Sequence, residues 1–337
     1  MICPHCDQNL LRRERTGRTC SKCRREFALE PKESPHGLHD LRIHRLVERL
    51  GDGRGLRYTL AQLWYASGRR KLSDGMGSYR AARIGASITI VLFSFVLMVG
   101  GAVSPGPGVA VAVVLLVLVN VGLMAARPWF EARSRIRMPA PYEVFRRELL
   151  DRWPGIYGGL PSGAVDGTVA RSFHGAPQFA VLCSDPGVIA CLEANNSPVI
   201  WAMMATNRTG ALPPDIPVFV LHDASLAGIA FAAKARSVLG KRAVTVGLLP
   251  RVVLANASIL RLREPRPAAQ ELDFLRREAL SQEEIDWLAA GWWSPIAAVP
   301  PAKLVAALNR ALGRLPKADD PDQQAARQVG FLTWPTE

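Results

Sequence analysis

The stretch that decides the architecture runs from residue 84 to residue 126: "IGASITIVLFSFVLMVGGAVSPGPGVAVAVVLLVLVNVGLMAA". It is 43 residues long and contains no Asp, Glu, Lys, Arg or His. The "SPGPG" at 104–108 divides it into two apolar halves, 84–103 and 109–126. At a rise of about 1.5 Å per residue each half spans roughly 27–30 Å, the thickness of a bilayer's hydrocarbon core. Proline and glycine end a helix and favour a reversal, so the pattern predicts a transmembrane hairpin. Helices of this length buried in a soluble core normally carry charge on one face, and these carry none. Asn120, the one strongly polar intrusion, is expected either to bond to the partner helix or to lie near the headgroups.

The flanks give the expected orientation. Arg69, Arg70, Lys71, Arg80 and Arg83 precede the hairpin, and Arg127, Arg133, Arg135, Arg137, Arg146 and Arg147 follow it, while the connecting loop is neutral. The positive-inside rule then predicts a two-pass protein of the plasma (inner) membrane with both termini cytoplasmic. The chain carries 42 Lys and Arg against 29 Asp and Glu, a net charge of +13. Such a balance favours anionic partners, and the juxtamembrane arginines account for much of it through the lipid bilayer alone. The chain opens on a polar cysteine motif, so no secretory signal peptide is expected before the hairpin.

That motif, "CPHCDQNLLRRERTGRTCSKC", holds Cys3, Cys6, Cys20 and Cys23 as two C-x-x-C pairs thirteen residues apart. Each pair can form a knuckle that presents two thiolates, and two knuckles complete the tetrahedral sulfur site that suits Zn²⁺. Residues 1–30 resemble a zinc ribbon. A closed site of four protein ligands has no open position, so the expected Zn²⁺ is structural. His5, inside the first knuckle, is expected to point outward. "RRERTGR" reads as an exposed basic loop: a contact for protein or nucleic acid, or a solvated surface.

Residues 36–80 repeat their apolar residues at helical spacing and predict a helical juxtamembrane spacer, with His36, His39 and His44 on its polar face. From 140 to 315 the pattern becomes that of a cytoplasmic α/β domain. Apolar strands are expected at 178–185, 198–206, 217–223 and 242–249, with helices between them, which implies a buried parallel sheet. Ser281 and Glu284 read as a capping box, and "PPAKLVAALNRALGRL" as an amphipathic helix. Trp287, Trp292 and Trp293 are expected to pack on the sheet domain. Residues 317–337 are polar and read as a flexible tail.

In parallel sheets functional groups gather at the carboxyl ends of strands, where "SD" (184–185) and "HD" (222–223) fall. The order of elements over 178–250 resembles a Toprim domain, the Rossmann-like fold of primases, topoisomerases and some nucleases. In that fold one strand ends in a glutamate, a later strand ends in Asp-x-Asp, and a glycine opens the following helix. Asp223 matches the first aspartate, Ser225 stands at the second and Gly228 at the glycine. Cys183 stands where the glutamate belongs, and Asp185 is the nearest acid. The resemblance implies acidic ligands for Mg²⁺, yet one matched carboxylate makes a poor magnesium site. Lost metal-dependent catalysis is therefore expected. Asp223 is then expected to cap the next helix and Gly228 to allow close helix–sheet packing. Two alternatives stay open: anion or nucleotide binding, with His222 and Gly228 as candidates, and phosphodiester chemistry with Asp223, Asp185 and Ser225 as catalytic candidates. Alternation turns His222 to the face opposite Asp223. Cys183 and Cys191 are expected as buried apolar residues. No nucleophile elbow, P-loop or H-E-x-x-H occurs.

The predicted whole is a multi-domain membrane protein: a small zinc ribbon, an α-helical hairpin and a C-terminal α/β Rossmann-like (Toprim-like) domain. Its expected role is a scaffold or sensor for a protein, nucleic acid or nucleotide. The alternative is a membrane-tethered, metal-dependent phosphodiester enzyme.

Overall fold

In a computed structural model the described residues are 1–73, 75–101, 104–166, 177–195, 203–206 and 209–314. After the cysteine knuckles the chain enters α1 (Asp40–Gly51), whose amphipathic spacing buries Ile43, Leu46 and Leu50. Asp52 ends it in the left-handed region, with φ 52°. A two-residue strand, β1 (Tyr58–Thr59), leads into α2 (Leu60–Gly68), which Thr59 and Gln62 close at its start as a reciprocal capping box.

The hairpin follows as α3 (Gly77–Val99) and α4 (Pro105–Ala125), packed against each other. Both are long and apolar enough to cross a membrane, with mean hydropathies of 2.1 and 2.6. Almost none of the residues in their apolar stretches is buried: Phe93, Val96 and Leu118 are each about 60% exposed. The Asn120 amide faces the partner helix. Its nitrogen donates to Ser87 Oγ at 3.3 Å and to the Leu116 carbonyl at 2.8 Å, while its oxygen accepts from Arg83 Nε at 2.7 Å. A short elbow, α5 (Arg127–Arg133), closes the foot of the hairpin.

α6 (Tyr142–Tyr157) brings Phe145, Leu149 and Trp153 into one core with Ile43, Leu46, Tyr58 and Leu63. The residues of the expected spacer thus share a core with a helix that follows the apolar hairpin. β2 (Ala164–Val165) completes the link by pairing in parallel with β1. His36 is not on a polar face. It is 1% exposed, bonded through Nδ1 to Ser67 Oγ at 2.7 Å and packed on Phe145. His44 likewise packs against Trp153 and Tyr157.

The main sheet is built from β3 (Phe179–Cys183), then α7 (Pro186–Ala194), β4 (Met203–Thr206), β5 (Val218–Leu221), α8 (Leu226–Leu239) and β6 (Ala243–Thr245). Its four strands are all parallel, in the order β4-β3-β5-β6. β3 and β5 are buried on both faces. Ala180, Leu182, Val218 and Val220 meet α8, while Val181, Cys183, Phe219 and Leu221 meet α7 and the last helix.

Beyond the sheet come α9 (Pro250–Ala255), β7 (Leu262–Arg263), α10 (Ala269–Leu272), α11 (Gln282–Ala289), β8 (Trp292–Trp293) and α12 (Pro301–Leu312). β7 and β8 pair antiparallel. Ser281 and Glu284 form the expected capping box on α11. Trp287 is buried with Ala224, Ile229 and Val253, against the start of α8. Trp292 carries the Arg263 guanidinium over its ring at 5.3 Å. The expected tail at 317–337 lies outside the described residues, as do residues 198–202 of the second expected strand.

Candidate functional site

The N-terminal knuckles repeat each other seventeen residues apart. Ile2 pairs with Asn9 across the first and Thr19 with Glu26 across the second. The residue after each second cysteine, Asp7 or Arg24, takes a left-handed conformation, φ 56° and 59°. That turn brings the chain back over its own sulfurs. The four Sγ atoms lie within 4.8 Å of one another, with Cys3–Cys23 and Cys6–Cys20 both at 3.8 Å. The His5 amide points at Cys3 Sγ, and those of Lys22 and Cys23 point at Cys20 Sγ, each at 3.4 Å. The Cys23 amide is the main cause of a Cys20 thiol held down to about 7. This donor set can hold a tetrahedral thiophilic cation such as Zn²⁺. His5 is turned away, with Nε2 2.7 Å from the Glu26 carbonyl oxygen.

The loop between the knuckles is less open than its sequence suggests. Arg12 and Arg13 are exposed, but Arg15 is buried and grips both carboxylate oxygens of Glu30, at 2.5 and 2.7 Å. Arg18 pairs with Glu33.

At the carboxyl ends of β3 and β5 the acids do different work. Asp185 Oδ1 accepts from the amides of Gly187 at 2.7 Å and Val188 at 3.2 Å, which makes it the N-cap of α7. Asp223 does not cap α8. That role belongs to Ser225, whose Oγ accepts from the Gly228 amide at 2.9 Å. Asp223 Oδ1 instead accepts from the Ile296 amide at 2.7 Å, anchoring a short turn that lies over the end of β5. The turn is held further by an Ala224–Ser294 bridge and by Gln62 Nε2, 2.9 Å from the Val299 carbonyl oxygen. Strand order reverses about β3, which has β4 on one side and β5 on the other. The switch point between β3 and β5, where open α/β sheets take their ligands, is therefore roofed by the chain itself. Burial raises the Asp223 carboxyl above its ordinary range. The Ile296 amide partly offsets this, and the neighbouring Asp185 adds to it. The hydroxyl of Tyr65, half-buried against the same core, has its pKa raised by burial and by both acids. Cys183 and Cys191 are fully buried, and burial pushes both thiols up to about 12.

Gly228 is required by packing. A Cβ at that position would stand 2.3 Å from the Asp223 carbonyl oxygen. His222 lies on the α8 face, 1% exposed, with Nδ1 2.8 Å from the Asp223 carbonyl oxygen, and its ring fills the space over Gly247. Burial pushes its pKa down. Among the described residues the four cysteines are the one set of three or more His, Cys, Asp or Glu side chains close enough to share a metal ion.

Sequence reasoning missed a cleft of about 660 Å³ on the other face of β5 and β6, rimmed by Arg54, Arg69, Lys303 and Arg310. One signal was available. Lys303 and Arg310 stand seven residues apart on an amphipathic helix and so share a face. The contributions of Arg54 and Arg69 depend on tertiary packing alone.

No protein-family model matches the chain, and neither a curated protein nor a solved structure does.

Proposed function

We propose that the chain is a two-pass inner-membrane protein with both termini in the cytoplasm, acting as a scaffold or sensor. In this reading Zn²⁺ on Cys3, Cys6, Cys20 and Cys23 is structural and fixes the ribbon. The parallel sheet is a Rossmann-like, Toprim-like domain that has kept the fold and lost the metal chemistry. Its partners are a protein, a nucleic acid or a nucleotide.

One observation carries the non-catalytic reading: both strand-tip carboxylates are already committed to backbone amides, Asp185 to its own helix and Asp223 to Ile296. A magnesium site needs several free oxygen ligands, and a half-buried carboxyl with a raised pKa, as at Asp223, is a weak one. The test uses the full-length protein in lipid nanodiscs. Mg²⁺ and Mn²⁺ are titrated calorimetrically, and single- and double-stranded nucleic acids are offered as substrates. Metal uptake at background level, unchanged in Asp223→Asn, is expected. Cleavage or joining of nucleic acid that disappears in Asp223→Asn would establish the phosphodiester enzyme instead.

A further inference from the structure

Beyond the carboxyl ends of β5 and β6, on the α12 side of the sheet, lies the cleft of about 660 Å³. Its volume falls within the roughly 300–1,000 Å³ usual for small-molecule sites. The floor is aliphatic, formed by Leu221, Val246, Leu248 and Ile259. The two polar side chains beside it, Asn256 and Ser258, satisfy each other at 2.7 Å. Among the described residues no aromatic ring lines the cleft. The rim is cationic. Arg54 comes from the loop after α1, Arg69 from the end of α2, and Lys303 and Arg310 from α12. Among the described residues one acid, Asp52, stands with them, 3.6 Å from Arg54. Four cations from three separate elements converge on one mouth, unlike the solvated charge run of a single helix.

We infer that this cleft binds a small amphiphile with an anionic head and an aliphatic tail. A nucleobase needs a ring to stack on or polar groups to read its edge, and the floor supplies neither. A bare anion leaves the aliphatic floor unused, and a neutral alkyl chain leaves the cationic rim without a counter-charge. The tail lies on Leu221 and Val246, and the head meets Lys303 and Arg310. Neither Asp185 nor Asp223 lines this cleft, and its occupancy does not depend on whether the strand-tip acids hold a metal.

The test is titration of the full-length protein, in nanodiscs of neutral phosphatidylcholine, with hexyl and octyl phosphate, against protein-free nanodiscs. Saturable 1:1 binding is expected, tightening roughly fourfold per added methylene. Lys303→Glu and Ala306→Trp should each weaken it at least tenfold, the first by reversing a rim charge and the second by filling the cleft. Both residues are exposed on α12, and the substitutions act by different means, so loss of fold in one leaves the other decisive. Inorganic phosphate binding as tightly as octyl phosphate would overturn the proposal in favour of a plain anion site. Displacement by a nucleoside monophosphate at lower concentration would overturn it in favour of a nucleotide site. Octanol binding as tightly, or affinity unchanged in both variants, would overturn it outright.

Discussion

At the residue scale, Asp223 shows how a strand-tip acid can be structural. Its partner, the Ile296 amide, lies 73 residues away. Asp223→Ala leaves that amide unsatisfied in a buried turn, at a cost of about 1–3 kcal/mol. Hydrogen exchange at Ile296 should therefore accelerate roughly 5- to 150-fold, whereas Asp223→Asn, which keeps a carbonyl acceptor, should change it little. His36 gives a pH dependence of known sign. Burial, reinforced by Arg42 and Lys71, holds its pKa near 4 against an ordinary 6.5. Between those values the unfolded chain takes up a proton that the folded chain refuses. Stability is therefore lost as pH falls from 6.5 towards 4, by about 1.4 kcal/mol per pH unit from this group. Thermal unfolding between pH 7 and 4 should show a shallower loss in His36→Gln than in the wild type. The positions of Asp185 and Asp223 were legible, because fully apolar strands announce their own ends. The amide that donates to Asp223 was not. The turn at 296 carries no motif, and only the tertiary fold brings its amide over β5.

At the element scale, the ribbon and the hairpin were legible for opposite reasons. The cysteine cluster is set by four residues whose chemistry admits few alternatives, and the hairpin by the absence of charge over two lengths that are each enough to cross a bilayer. Each makes a prediction. One Zn²⁺ per chain should be found by elemental analysis, and it should be lost in Cys20→Ser. Removal by a strong chelator should release residues 1–30 from protection against proteolysis while the parallel sheet stays protected, because Leu10 with the cysteines is too small a core to fold alone. In the hairpin, Asn120→Leu removes the bonds to Ser87 and Arg83 near the end where α3 starts and α4 finishes. Interhelical hydrogen bonds of this kind contribute about 0.6–1.7 kcal/mol. A loss of that size should appear in detergent-titrated unfolding. β1–β2 pairing and the core shared by α1, α2 and α6 escaped the sequence. Two-residue strands give no periodicity, and an amphipathic helix reveals which face is buried without revealing its partner.

At the scale of the whole molecule, the two feet of the hairpin are tied to the same lobe. Ser73, before α3, donates to the Arg135 carbonyl at 3.1 Å and accepts from the Arg137 amide at 3.3 Å, beyond α5. Arg137 in turn grips both carboxylate oxygens of Glu264, at 2.9 and 2.6 Å, and Ile136 pairs with Arg263 of β7. Tyr79 and Phe130 meet edge to face at the same level, with Trp129 exposed beside them under Arg133. Aromatic and basic residues at this height match an interfacial belt. In the proposed two-pass arrangement a lobe bound to both feet lies on one side of the bilayer, and the arginine-rich flanks point to the cytoplasmic side. Cysteine mapping in spheroplasts tests this. The native cysteines are four clustered thiols and two buried ones, so new sites are read against a low background. Ser104→Cys, at the neutral loop, should react with a membrane-impermeant maleimide in intact spheroplasts. Lys303→Cys, on the lobe, should react only after lysis. The reverse pattern would put the lobe outside. Labelling of both in intact spheroplasts would show that the apolar helices do not span the bilayer.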